Sequence, residues 1–115
     1  MNIQIFGVKK CINTKKAERY FKERRIKYQF VDLTIRGLSK GELQSVKAAV
    51  GLENLIDAES KDYQRLNMDR ISSTKVKEEI LLNNPGLYKT PIVRNGRQSA
   101  VGYEPDIWNS WEKGC

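Results

Sequence analysis

Polar and apolar residues alternate through Asn2, Ile3, Gln4, Ile5 and Phe6 and stop at Gly7. That period of two predicts a strand with one buried face. The period then changes. From about Asn13 to Arg25, Ala17, Tyr20 and Phe21 recur at helical spacing among Lys15, Lys16, Arg19, Lys22, Arg24 and Arg25. This predicts an amphipathic helix with a solvated basic face. Lys27 to Leu33 returns to strand character, with Tyr28, Phe30 and Asp32 on one face. Strand, helix and strand at these lengths make a βαβ unit, whose strands run parallel with a right-handed crossover.

Ser39 and Glu42 form a capping box, because hydroxyl and carboxylate can each satisfy a free amide of a first helical turn. The helix they open is expected to run to about Val50 and to end at Gly51 in the left-handed conformation. Residues 52–69 read as broken helix, with Leu52, Leu55, Ile56, Tyr63 and Leu66 turned inward. A further helix is expected over about 73–83, with Val76, Ile80 and Leu81 on its inner side and the run Asn84, Pro85, Gly86 ending it.

The last third predicts a hairpin. Pro91 to Arg94 and Arg97 to Val101 flank Asn95 and Gly96, the dipeptide preferred in a type I′ turn. Pro105 then opens a terminal helix whose stripe is Ile107, Trp108 and Trp111. The expected organisation is α/β, one domain over 1–115: βαβ, a helical insertion over about 39–83, then ββα.

Composition narrows the chemistry. The 115 residues are 39% apolar and 30% charged, and no apolar run approaches the length of a membrane span. Two cysteines, Cys11 and Cys115, are fewer than a small disulfide-stapled secreted scaffold would carry, and no basic leader precedes an apolar stretch at the start. A cytoplasmic setting is expected. The absence of histidine excludes Ser-His-Asp and Cys-His pairs and imidazole metal sites. The net charge of +7 is the mark of either a solvated surface or an anionic partner, and no basic-aromatic nucleic-acid motif accompanies it.

Cys11 stands between the first strand and the first helix. Helix amides and the helix dipole favour an anion there, Lys9 and Lys10 precede it, and Thr14 is spaced to offer the sulfur a hydroxyl. All three favour the thiolate, the reactive form. Against this stands a buried, inert cysteine packed as a small hydrophobe; local sequence leaves both readings open.

The chain resembles the arsenate-reductase-related family of thioredoxin-fold proteins, which includes the glutaredoxin-like arsenate reductases (ArsC) and the Spx transcription regulators. The resemblance rests on Gly7 to Lys9, on Cys11 with Thr14 to Ala17, on Tyr63 to Asn67, on Asn84 to Val93, and on Val101 to Tyr103. It spans about residues 2–112. It implies a thioredoxin-like fold, Cys11 and Thr14 as the catalytic pair, and a cis Thr90–Pro91 bond against the cysteine. It further implies Lys10, Asn13, Lys89, Thr90 and Pro91 as the substrate-binding set, with no metal and no bound cofactor.

Family arsenate reductases hold the oxyanion with arginines, and the aligned positions here carry Thr90, Asp57 and Tyr103. They also carry a histidine ahead of the cysteine. Lysine cannot reproduce the bidentate clamp of an arginine, so genuine arsenate reduction is not expected. Spx regulators often switch through Cys-x-x-Cys, where this chain has Thr14 as the second residue; Gly51 matches a glycine at their RNA-polymerase contact and also suits a helix end. Two readings follow. One is a monothiol oxidoreductase acting on a thiol or disulfide substrate, with a low-molecular-weight thiol such as glutathione, or Cys115, resolving the adduct. The other is a redox-sensing module that binds RNA polymerase. Neither involves direct nucleic-acid or membrane binding.

Overall fold

The computed structural model describes residues 1–113. Cys115, expected to be an ordinary thiol and a candidate resolving partner, lies outside the described residues. Strand β1 (Ile3–Gly7) leads into helix α1 (Ile12–Glu23) and strand β2 (Tyr28–Asp32). Helices α2 (Lys40–Val50), α3 (Lys61–Arg65) and α4 (Thr74–Asn83) form the insertion, with single 3₁₀ turns at Glu53–Leu55, Met68–Arg70 and Pro85–Leu87. Strands β3 (Ile92–Asn95) and β4 (Gln98–Val101) and helix α5 (Pro105–Lys113) complete the chain. The sheet order is β2-β1-β3-β4. β1 runs parallel to β2 and antiparallel to β3, and β3 and β4 form the hairpin. This is the expected thioredoxin-like arrangement.

The alternation read in the sequence serves both faces of this sheet. Ile3, Ile5, Val93 and Ala100 join Ala17, Tyr20 and Phe21 of α1 and Trp108 and Trp111 of α5 in one core. Phe6, Val31 and Ile92 join Leu43, Val46, Leu55, Leu81 and Leu87 of the insertion and its turns in the other. The insertion is therefore the second covering layer of the sheet. Tyr28 and Phe30 share a face as expected but are only partly buried, while Val31 and Leu33, which follow them on the opposite face, are the buried ones.

Several local expectations shift. The capping box of Ser39 and Glu42 forms in full. Gly51 has positive φ, but its φ of 87° with ψ of 147° is not left-handed helical. It lies in an extended, positive-φ region open to glycine, so the demand for glycine stands while the geometry differs. In the hairpin Asn95 pairs with Gln98, which makes Gly96 and Arg97 the two central turn residues. Of those two only Gly96 has positive φ. That is the pattern of a type II′ turn, and the type I′ reading was displaced by one residue because Asn95 is held in β3. Val76 and Ile107, both expected inside, are 42% and 40% exposed. Each sits at the margin of its helix's apolar arc, where the neighbouring layer ends.

Candidate functional site

Serine oxygens open three helices: Ser39, Ser60 and Ser73 each accept a hydrogen bond from the amide three residues on, at α2, α3 and α4. At α1 the same position is held by Cys11, in extended conformation with φ −75° and ψ 123°. A capping oxygen there would satisfy free amides of the first turn. The Cys11 sulfur makes no capping bond of full geometry, although the amides of Asn13 and Thr14 lie near enough to favour its anion. A thiolate is a stronger acceptor than a thiol, so these first-turn amides prefer the ionised sulfur. The turn Val8 to Cys11, closed by the Cys11 amide donating to the Val8 carbonyl at 3.0 Å, aims the residue from the end of β1.

The hydroxyl that bonds the sulfur comes from the other half of the chain. Thr90 Oγ1 donates to Cys11 Sγ at 3.2 Å, and the thiol faces the Thr90 carbonyl at 3.9 Å. The Thr90–Pro91 peptide is cis, as the resemblance implied. Thr14 was expected to supply this hydrogen bond. Its Oγ1 is buried beside the sulfur: it makes no bond of full geometry to the neutral thiol, yet it lies close enough to favour the thiolate. Thr14 is fully buried because its side chain packs on Gly7, where an added Cβ would lie 2.6 Å from both Thr14 Cγ2 and Oγ1.

Burial alone would raise the Cys11 thiol. The nearby Thr14 hydroxyl, the Thr90 hydroxyl and the amides of Thr14 and Asn13 outweigh it, and the thiol is held below its ordinary value. The lowering therefore comes from neutral dipoles. Lys9 and Lys10, credited with it from sequence, are the exposed central residues of the turn.

A folded pKa below the unfolded one means that ionised Cys11 adds stability as pH rises through the folded value. That contribution is complete above the ordinary thiol pKa of about 8.5, and is lost as pH falls back through the folded value.

Cys11 opens onto a cavity of about 600 Å³ lined also by Asn13, Asp57, Glu59, Lys89, Thr90 and Gly102. Asn13, Lys89 and Thr90 are thus brought together with the cysteine, and Pro91 is buried directly behind Thr90. Lys10 is not among the lining residues.

Asp57 and Glu59 reach the cavity through a pairing that no local pattern announces. The Asp57 amide donates to the Leu87 carbonyl at 2.7 Å and the Lys89 amide to the Leu55 carbonyl at 2.8 Å. This short antiparallel bridge, centred on Ile56 and Tyr88, ties the insertion to the segment entering the cis-proline. Tyr103, at the third aligned clamp position, turns away: its ring packs edge-on against Trp108 at 5.6 Å and lies under Lys16 Nζ at 5.4 Å. Among the described residues, no cluster of His, Cys, Asp or Glu side chains is suited to hold a metal ion. No helix among them is long and apolar enough to cross a membrane.

Gly7→Ala should displace Thr14 and with it the first turn of α1. The expected cost is about 1–3 kcal/mol, the usual range for overpacking, together with a higher Cys11 pKa. Urea unfolding and the pH profile of alkylation would check both; an unchanged profile would show that Thr14 does not position the turn.

Comparison with known proteins places this geometry among relatives. The model of the ArsC family matches residues 6–111. The global transcriptional regulator Spx of Staphylococcus aureus is 29% identical over 108 residues, covering 90% of this chain and 82% of that protein. An arsenate reductase from Vibrio cholerae superposes with a TM-score of 0.85 at 19% identity, covering 96% of this chain and 97% of its own. An arsenate reductase-related protein from Brucella melitensis gives 0.70 at 24% identity, covering 98% of this chain and 96% of its own.

Proposed function

The chain belongs to the ArsC family, and from that premise we propose that it is a glutaredoxin-like, monothiol oxidoreductase with Cys11 as the nucleophile. The observation that carries this reading is the Thr90 hydroxyl at 3.2 Å from a sulfur that occupies the N-cap of α1 beside a cis-proline. The Cys11 thiolate attacks one sulfur of a disulfide R–S–S–R. A bond forms between Cys11 and that RS group, and the other leaves as RS⁻. A second thiolate, from a low-molecular-weight thiol such as glutathione, then attacks the RS sulfur and releases Cys11 as thiolate. The released Cys11 thiolate falls back under the Thr90 hydroxyl and the Asn13 and Thr14 amides, which makes it a good leaving group. Cys11 and Thr14 are the proposed catalytic pair. Thr14 acts through its dipole behind the sulfur, and Asn13, Lys89, Thr90 and Pro91 shape the docking cavity.

The test is the rate of iodoacetamide alkylation of Cys11 against pH. A midpoint well below about 8.5 is expected; a midpoint at the ordinary value would remove the proposal. Thr90→Val, which keeps the shape and deletes the hydroxyl, should raise the midpoint, because one hydrogen bond to the charged form is lost, worth about 0.5–1.5 kcal/mol. Thr14→Val should do the same. A Thr14→Val profile identical to the parent would mean that the buried hydroxyl does not act on the sulfur.

The similarity to Spx over most of the chain favours a second reading, a redox-sensing regulator that binds RNA polymerase, with Cys11 as sensor. Gly51, exposed at the end of α2 with positive φ, would sit at that contact. Specific retention of purified RNA polymerase, together with an ordinary Cys11 midpoint, would select this reading over the enzyme.

A further inference from the structure

The charge lining the cavity at Cys11 runs against the charge of the whole chain, the exposed Lys9 and Lys10 standing outside that lining. The protein carries +7, and an average field of that sign draws anions. Among the described residues, the charged ones lining the cavity in which the sulfur sits are Asp57, Glu59 and Lys89, two acids against one base. Both carboxylates belong to one short segment after the 3₁₀ turn at 53–55. The segment is held there by the bridge between Ile56 and Tyr88 and by an internal turn in which the Glu59 amide donates to Asp57 Oδ1 at 3.0 Å. The segment is thus fixed by backbone bonds, and its two acids are a built part of the wall. The fully buried Thr14 hydroxyl, which bonds no other protein group, favours the thiolate of Cys11.

We propose that Asp57 and Glu59 set the substrate class of Cys11: cationic and neutral disulfides over anionic ones. This rests on the exchange reading above and gives it a specificity. Glutathione and its disulfide, each with more carboxylates than ammonium groups, fall in the disfavoured class, so glutathione resolves the adduct more slowly than a neutral or cationic thiol; a disulfide flanked by amines or basic side chains falls in the favoured one. The step is the balanced exchange already described, in which Cys11 takes one RS group and the other leaves as thiolate. Local carboxylates act here by raising or lowering the encounter concentration, and close charges outweigh distant ones because intervening salt screens the latter.

The cleanest probe varies charge while holding the chemistry nearly constant. Iodoacetamide is neutral and iodoacetate is its anionic counterpart. The ratio of iodoacetate to iodoacetamide rates at Cys11 should fall about three- to tenfold below the ratio for a small reference thiol. Added salt should raise the iodoacetate rate. Asp57→Asn with Glu59→Gln should bring the ratio up to or above the reference; Asp57→Asn keeps a side-chain oxygen for the Glu59 amide. The single variants and the salt series on the unaltered protein give the same reading should the double variant fold poorly. Among disulfides, cystamine should outrun 2-hydroxyethyl disulfide, and both should outrun dithiodiglycolate, each rate divided by that of the reference thiol. An iodoacetate ratio at or above the reference, falling with salt, would overturn the inference and show that the global charge governs the site. If alkylation shows the predicted bias while all three disulfides leave Cys11 untouched, the exchange reading falls and the charge bias of the cavity stands.

Discussion

Arsenate supplied with a glutathione–glutaredoxin couple should leave the coupling reductant oxidising at the background rate, while the same preparation exchanges with small disulfides through Cys11. Attack on arsenic needs the oxyanion held in line with the sulfur, and fixed geometry of that kind is a large part of any such rate. Bidentate guanidinium groups supply orientation; an ammonium on a flexible stem supplies attraction only. Thr90 stands at the position before the cis-proline and spends its hydroxyl on the sulfur. Asp57, at a second clamp position, lines the cavity and repels the anion. Tyr103, at the third, is packed on Trp108. Among the described residues, Lys89 is the one cation on the cavity wall. Robust arsenate-dependent oxidation, abolished by Cys11→Ser, would show that other groups can replace the arginine clamp.

Trp108→Ala should destabilise the fold by about 3–5 kcal/mol, the range for emptying a buried aromatic site. Trp108 is fully buried. Its ring lies 5.1 Å from Tyr20, 5.3 Å from Phe21 and 5.6 Å from Tyr103, so one side chain joins α5 to α1 over the sheet. Loss of it opens a cavity among rings that are themselves anchored, and little collapse can follow. Trp108→Phe should cost much less, because the indole Nε1 makes no hydrogen bond that phenylalanine would forfeit. Urea unfolding with an unchanged denaturant slope would report both. A loss under about 1 kcal/mol for Trp108→Ala would mean that the α1–α5 layer repacks freely.

Both expectations draw on a fold whose outline is legible in the amino-acid sequence. β1, α1, β2 and the β3–β4 hairpin follow from periods of two and 3.6 and from glycine and proline at their ends. The core of α1, Ala17, Tyr20 and Phe21, was legible because helical spacing leaves few alternatives. The margins were less so. Val76 and Ile107 look inward by composition and are exposed, because burial at the edge of an apolar arc depends on where the neighbouring layer stops. The turn at Gly96 and Arg97 moved by one residue because strand pairing outranks dipeptide preference when β3 can use one more rung.

At the site the division is sharper. That Cys11 begins a helix, and that its sulfur therefore faces free amides, is a local property set by residues within a few positions of it. So is the close fit of Gly7 against Thr14. Which hydroxyl reaches the sulfur is not local: Thr90 is 79 residues away and arrives only when β3 pairs with β1. Likewise Asp57 and Glu59 reach the cavity only because the Ile56–Tyr88 bridge carries the insertion there. Periodicity along a chain reports which side of an element is buried, since that depends on the element's own repeat. It carries no record of which distant segment fills the space opposite, since that is decided by the pairing of backbones and the packing of layers.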